Sequence, residues 1–184
     1  MSERVPFSRL RREVLVDNAW HRYCRDRYVQ SDGSEGDYYY VDMAGSCAVI
    51  PVFDDGTMVL VHVHRYLLGR DLWEFPIGGM HPGDEPLAVA QEELRQEAGL
   101  TAADWTALGR FAPYKGASNE ICHFFLARDL REVGQDLEPS ERITVHRLPI
   151  DAARRLLCEQ PCGDGQSLAG LMLLDRWLAA GNRL

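Results

Sequence analysis

Short β-prone runs separated by turn signals occupy the first part of the chain. They lie at 14–16, 20–29 and 38–41, and residues 31–34 between the last two are typical of a hairpin. A small antiparallel sheet of this kind has little core of its own and needs a surface to pack on. The pattern therefore predicts an N-terminal leader sheet within residues 1–44, followed by a larger domain over residues 45–184.

In the larger domain, strands and helices are both predicted. The continuous apolar run from Cys47 to Phe53 indicates a buried strand. Further strands are predicted at 58–63, 105–111, 121–127 and 142–145. Residues 150–157 and 167–178 have the spacing of helices, and the apolar arc of the second indicates packing against a core or another subunit.

Residues 73–100 are organised differently, as a short strand, a glycine loop and an acidic helix. The strand is predicted at 73–77, ending before a Gly-Gly pair. The helix is predicted to begin near Pro86, because proline is tolerated in the first turn, with Asp84 as N-cap. Gly99 is predicted to end it, since glycine readily takes the left-handed conformation of a C-cap.

One face of this helix carries the candidate chemistry. At about 100° per residue, apolar side chains form a stripe. Its members are Leu87, Ala90, Leu94 and Ala98. Glu93 and Glu97 lie at i and i+4 beside the stripe, where two like charges repel each other. A hard cation explains the pair, because Mg²⁺ binds through one or two carboxylates together with substrate phosphates. A solvated acidic face is the alternative that the helix alone leaves open.

The spacing of the whole stretch resembles the Nudix box, the signature of the Nudix hydrolases. That pattern is Gly, five residues, Glu, seven residues, then Arg-Glu-aliphatic-any-Glu-Glu-any-Gly-aliphatic. The positions that agree are Gly78, Glu93, Leu94, Glu97, Gly99 and Leu100. Three positions depart: Asp84 and Gln96 replace glutamates, and Glu92 replaces the arginine. The resemblance implies an α/β (α+β) fold, the Nudix-type α/β/α sandwich with a mixed sheet, preceded by the small N-terminal antiparallel sheet.

The same resemblance implies a metal centre and its catalytic groups. The corresponding metal positions are Ile77, through its carbonyl oxygen, Glu93, Gln96, Glu97 and Glu141. In the family, a glutamate of the loop corresponding to 131–142 swings over the metals as ligand or general base. Glu141 is the first candidate for this role, and Glu138 is the second glutamate of the loop that fits. Glu93 is the second candidate for general base, and Glu97 completes the implied catalytic set. The expected ion is Mg²⁺, with Mn²⁺ as the alternative.

A leader sheet ahead of such a box resembles the ADP-ribose and nucleoside-diphosphate-sugar pyrophosphatase branch. In that branch the leader usually builds a homodimer, often by exchange between subunits. The alternative left open is that the leader covers its own domain. The implied substrate-binding positions are Arg65, Glu74, Lys115, Gly116 and Glu120. For Glu74 an ion pair with a nearby arginine stays open, and for Lys115 a solvated position stays open beside a phosphate contact. Tyr38 or Tyr40 of the leader is the candidate to stack a base.

The charge balance excludes several classes of partner. The net charge is −8, with 28 acidic against 20 Lys and Arg residues, so the chain lacks the basic surface of a general nucleic-acid or membrane-surface binder.

No apolar run reaches membrane-spanning length, and residues 1–10 contain no secretion signal. Five cysteines without a C-x-x-C pair argue against a disulfide framework or a zinc ribbon. A cytoplasmic protein with a nucleotide-type small-molecule partner is expected.

These inferences lead to one expected reaction and two alternatives. The reaction is Mg²⁺-dependent hydrolysis of a nucleoside diphosphate linked to another moiety, first of all ADP-ribose or a related sugar nucleotide, to nucleoside monophosphate and sugar phosphate. The first alternative is a Nudix hydrolase acting on FAD, NADH or a coenzyme A derivative. The second, suggested by the altered box, is a nucleotide-binding protein with weak catalysis.

Overall fold

The computed structural model describes residues 5–137 and 142–184, which form three sheets and three α-helices. The strands are β1 Arg9–Asp17, β2 Arg22–Val29, β3 Glu35–Asp42, β4 Ser46–Pro51, β5 Thr57–Arg65, β6 Arg70–Glu74, β7 Ile77–Gly79, β8 Leu100–Phe111, β9 Cys122–Glu132 and β10 Ile143–Pro149. The helices are α1 Pro86–Ala98, α2 Ile150–Glu159 and α3 Gly165–Ala179, and a 3₁₀ turn spans Tyr66–Leu68. Within the described ranges, no helix is both long and apolar enough to cross a membrane.

The leader forms the antiparallel sheet β1-β2-β3, as predicted. Its strand β3 docks on the loop between β8 and β9, where the Val41 amide donates to the Ala117 carbonyl at 2.9 Å. The Asn119 side chain donates to Asp42 at 2.6 Å and accepts from the Met43 amide at 2.9 Å. Backbone and side-chain hydrogen bonds therefore tie the leader to the larger domain.

Strand β4 lies in the middle of the larger domain and has both faces covered. It pairs with β9 in parallel and with β7 antiparallel, in a mixed sheet of order β7-β4-β9-β8. Ala48 and Ile50 belong to a core cluster with α2 and α3, whereas Cys47 and Val49 belong to a cluster with α1. The second sheet, β10-β5-β6, completes the core. This α/β/α arrangement confirms the predicted sandwich, and the double burial explains why β4 is a continuous apolar run.

The predicted strand at 73–77 is wrong in its bounds. β6 ends at Glu74, and β7 begins at Ile77 and contains both glycines of the Gly-Gly pair. Pro76 has no amide hydrogen to continue the ladder, and the Phe75 amide donates instead to the Ser167 hydroxyl at 2.9 Å. The chain therefore changes sheet at Phe75 and Pro76.

The predicted bounds of α1 are nearly correct, but its N-cap is not. Glu85 takes the N-cap position, without a side-chain hydrogen bond, while the Asp84 carboxylate accepts from the His81 amide at 2.7 Å and closes the preceding turn. Gly99 ends the helix with φ 66°, as predicted. Leu87, expected in the apolar stripe, is 39% exposed and lies outside the core.

Candidate active site

Two clefts meet beside the short strand β7. The first, here called the box cleft, has a volume of about 470 Å³ and is lined by α1, β7 and the tip of the leader hairpin. The second, the side cleft, has a volume of about 760 Å³ and reaches from β7 to the start of α3. Both clefts are lined by Met43, Arg65 and residues 77–79, so they adjoin each other at β7.

Glu93 lies directly against the backbone of Gly78. A Cβ added at Gly78 would fall 1.8 Å from Cδ and 1.9 Å from Oε1 of Glu93. Any side chain at this position would displace the carboxylate, because non-bonded atoms stay about 3.5 Å or more apart. The first glycine of the box therefore provides the space in which Glu93 sits at the wall of the box cleft.

Glu97 connects the helix to the strand. Its carboxylate is 5% exposed, and Oε2 accepts a hydrogen bond from the Ile77 amide at 2.9 Å. Burial of a carboxylate is unfavourable unless it is hydrogen-bonded or faces a cation. Glu97 also lines the box cleft beside Glu93 and Ile77, so the sequence-predicted ligand positions on α1 and β7 are brought together.

The donor set of the box cleft fits a hard divalent cation. Two adjacent carboxylates, one of them buried, supply the oxygen ligands that Mg²⁺ takes from a protein, and substrate phosphates usually complete such a site. Among the described residues, no set of three or more His, Cys, Asp or Glu side chains is arranged to hold a metal ion. Glu141 and Glu138, the expected contributors from the acidic loop, lie outside the described residues.

Two of the three altered box positions contact each other. The Gln96 amide donates to Glu92 at 2.8 Å, and Glu92 also accepts from Arg95 at 2.8 Å. Arg95 in turn pairs with Asp136 at 3.2 Å. Gln96 lines the box cleft as expected for its box position, but the nitrogen of its amide is held by Glu92. In this structure the basic partner of Glu92 is therefore one helical turn further along, at Arg95.

Arg65 and Glu74 form an ion pair at the junction of the two clefts. The Arg65 guanidinium donates to both carboxylate oxygens of Glu74, and Nε lies 2.8 Å from Oε1. Glu74 is only 2% exposed, and its carboxylate raises the pKa of Arg65 through these hydrogen bonds. The ion pair that the sequence left open for Glu74 is the one observed. Both residues also line the side cleft, where the half-exposed Arg65 is the basic group nearest β7.

The far wall of the side cleft includes residues that the sequence did not single out. Ser46 donates to the buried Glu120 carboxylate at 2.6 Å, and the Gln166 amide donates to Ser46 at 3.1 Å. Asp164, the N-cap of α3, lies beside them and accepts from the Ser167 amide at 2.6 Å. Glu120 was expected at the site and lines it. The one sequence signal for Asp164 is that an aspartate three residues before Ser167 is a typical helix start.

The remaining residues that were expected to contact the substrate do not line either cleft. Neither Lys115 nor Gly116 lines them, and the Gly116 carbonyl accepts from the Tyr38 hydroxyl at 2.9 Å. Tyr40 is 8% exposed and packs within the leader sheet, so it is not placed to stack a base here. Instead Trp20, at the tip of the β1–β2 hairpin and 77% exposed, lines the box cleft.

Comparison with known proteins identifies the family. The family model of the NUDIX domain matches residues 43–162, more than half of the chain. An ADP-ribose pyrophosphatase of Mycobacterium tuberculosis is 34% identical over 155 residues, which cover 82% of this chain and 75% of the relative. One from Bacillus subtilis is 30% identical over 156 residues, covering 82% and 84%. The crystal structure of an ADP compounds hydrolase superposes with a TM-score of 0.80 at 20% identity and full coverage of both chains, which supports the fold. The family model and these two relatives show that the chain belongs to the Nudix hydrolases.

Proposed function

We propose that this Nudix hydrolase cleaves the phosphoanhydride of ADP-ribose, or of a closely related nucleoside diphosphate linked to a sugar, with Mg²⁺ as its ion. The observation that carries the proposal is that the two clefts share β7 as part of their lining. One cleft presents two carboxylates and the other is large enough for the remainder of a substrate. The two relatives named as ADP-ribose pyrophosphatases support the choice of first substrate.

In this proposal the diphosphate lies over β7, between the box carboxylates and Arg65. Glu93 and Glu97 would hold the ion, together with the Ile77 carbonyl and Gln96. When bound, Mg²⁺ would neutralise the charge of the diphosphate and make the attacking water more acidic. Glu141 is the first candidate to take the proton of the attacking water and to complete the metal set, and Glu93 is the second candidate for the base. Water adds to one phosphorus atom and the bridging oxygen leaves with the other, which gives AMP and ribose 5-phosphate.

A substrate panel tests the reaction. Purified protein is incubated with ADP-ribose, other sugar nucleotides, FAD, NADH and a coenzyme A derivative, with Mg²⁺, with Mn²⁺ or with EDTA, and the products are identified by chromatography and mass spectrometry. We expect AMP and ribose 5-phosphate from ADP-ribose with Mg²⁺ and none with EDTA, and a fall in turnover of about two orders of magnitude in Glu97→Gln. Efficient cleavage of FAD, NADH or the coenzyme A derivative instead would reassign the substrate, and binding without turnover would indicate a nucleotide-binding protein.

We also infer a homodimer built through residues 1–44, active in the cytoplasm. The leader exposes the apolar side chains of Val14, Leu15 and Val16 on β1, which a second copy can cover. The five cysteines are free thiols, as a reducing compartment would keep them. Light scattering of the full chain should give the mass of a dimer, and Val16→Glu, at a position 55% exposed, should give a folded monomer. A well-folded monomer from the unaltered chain would refute the dimer.

A further inference from the structure

The far wall of the side cleft is built partly by residues beyond the matched Nudix segment. Asp164 and Gln166 stand at the start of α3, after residue 162, and they face the same cleft as Glu120 and Ser46. Gln166 donates to Ser46 at 3.1 Å, and Ser46 donates to Glu120 at 2.6 Å, so amide, hydroxyl and carboxylate form one hydrogen-bonded row. Glu120 and Ser46 are each 5% exposed, which holds the row rigidly in place.

The charge of this compartment disfavours a phosphate. Its lining contains the carboxylates of Glu74, Glu120 and Asp164, against the guanidinium of Arg65. That guanidinium already donates to both oxygens of Glu74. A phosphate is negatively charged and only accepts hydrogen bonds, so near these groups it would meet repulsion and few donors.

The hydrogen-bonding capacity of the same wall suits hydroxyl groups. An ionised carboxylate has about four acceptor sites. Ser46 occupies one on Glu120, and the Ser167 amide occupies one on Asp164. An amide such as Gln166 has two N–H donors, of which Ser46 takes one. A hydroxyl both donates and accepts, so a group with several hydroxyls can satisfy carboxylate and amide together.

Apolar side chains complete the compartment. Tyr66, Leu72 and Tyr114 line it together with the polar row. Sites for small molecules commonly combine an apolar wall with a few fixed polar groups that orient the ligand. A sugar has both kinds of surface, with C–H groups on its faces and hydroxyls at its edge. A plain alkyl chain would add no hydrogen bond to the remaining donor and acceptor sites of this row.

We propose that Asp164, Gln166 and Glu120 form a sugar subsite, which binds the neutral, hydroxyl-rich group on the far side of the diphosphate from the nucleoside. The inference rests on the proposed function, because the diphosphate must lie over β7 for this group to reach α3. The nucleoside then lies towards Trp20, the exposed aromatic residue that lines the box cleft. Asp164 and Gln166 are thereby specificity-determining residues that lie outside the Nudix box.

The test compares two substrates that differ only in this group. ADP-ribose is set against ADP n-pentyl ester, in which an alkyl chain replaces the ribose, and kcat and KM are measured for both with Mg²⁺. The variants are Gln166→Leu, which removes the amide, and Asp164→Asn, which keeps a residue that can cap α3. The control is Gln91→Leu, an exposed glutamine on α1 that lines neither cleft. Thermal unfolding verifies that each variant is folded.

The parent should have a higher kcat/KM for ADP-ribose than for the ester. Each variant should lower the ratio of these two values about tenfold, the equivalent of one or two hydrogen bonds. The loss should come from ADP-ribose alone, with the ester and the Gln91→Leu control unchanged. Equal efficiency of the parent on both substrates, or an equal fall for both in Gln166→Leu, would overturn the subsite and leave the proposed function intact.

A binding measurement tests the subsite even if no hydrolysis is observed. Titration calorimetry with methylene-bridged forms of both compounds, which resist hydrolysis, should show tighter binding of the ribose form and loss of this difference in Gln166→Leu. That result would support the subsite even if the proposed activity fails. Absence of binding and hydrolysis for both compounds would refute the subsite and the proposed function together.

Discussion

Gly78→Ala tests whether the position of Glu93 depends on a missing Cβ. The new atom would lie 1.8 Å from Cδ and 1.9 Å from Oε1 of Glu93, so the carboxylate has to move by about 2 Å to reach ordinary contact distance. A misplacement of about 1 Å in a catalytic constellation can lower a rate about a hundredfold. We therefore expect kcat/KM to fall at least about a hundredfold and the Mg²⁺ requirement to rise.

The same variant should remain folded. The clashing atoms are the far end of a flexible side chain, so the adjustment costs about 1 kcal/mol, as for one unfavourable rotamer. In a chain of this size that lowers the Tm by about 2–4 °C. Steady-state rates over a range of Mg²⁺ concentrations and thermal unfolding by circular dichroism measure both quantities.

The neighbouring glycine provides the control. A Cβ at Gly79 meets no protein atom within 4 Å, so Gly79→Ala should keep the Tm of the parent. If Gly78→Ala keeps the parental rate, then Glu93 is not needed where the structure places it. If instead its Tm falls by 10 °C or more, the backbone rather than Glu93 has given way, and the reasoning about a flexible side chain fails.

Three further variants, one of them a double variant, probe the same site. Glu97→Gln should lower Mg²⁺-dependent turnover by about two orders of magnitude. The Tm should change little, because the amide oxygen still accepts the hydrogen bond from β7. Near-parental turnover would contradict the metal role. Gln96→Glu alone would set a second carboxylate against Glu92, so it is combined with Glu92→Arg. The double variant should reach half of its maximal rate at a Mg²⁺ concentration about tenfold lower than the parent needs. An unchanged Mg²⁺ requirement would place residue 96 away from the ion. Arg65→Ala leaves the buried Glu74 unpaired and should cost about 3 kcal/mol of unfolding free energy at pH 8. Burial raises the pKa of Glu74, so the loss of unfolding free energy should shrink as the pH falls towards 5 and Glu74 becomes protonated. Chemical denaturation at pH 8 and pH 5 measures this difference. A loss that does not depend on pH would show that packing of the Arg65 stem matters more than its charge.

The sequence could place Glu93, Gln96 and Glu97 together because these positions are close along the chain. Helical spacing places Glu93 and Glu97 on one face, and the loop geometry follows from glycine and proline positions. The side cleft could not be predicted in this way. Gln166 contacts Ser46 across 120 residues, and only the packing of α3 against β4 and β9 brings the two together. The break between β6 and β7 was missed for a similar reason, since the amide of Phe75 bonds to a hydroxyl of α3.

Docking of the leader on the β8–β9 loop has a consequence for how this protein can be dissected. The loop bonded to Val41 and Asp42 also carries Tyr114 and Glu120 of the side cleft. Removing residues 1–44 would release this loop and at the same time remove the proposed subunit contact. Loss of activity in a shortened chain would therefore have two sources that no assay could separate. Single substitutions on the solvent face of β1 change the subunit contact alone and leave the loop anchored.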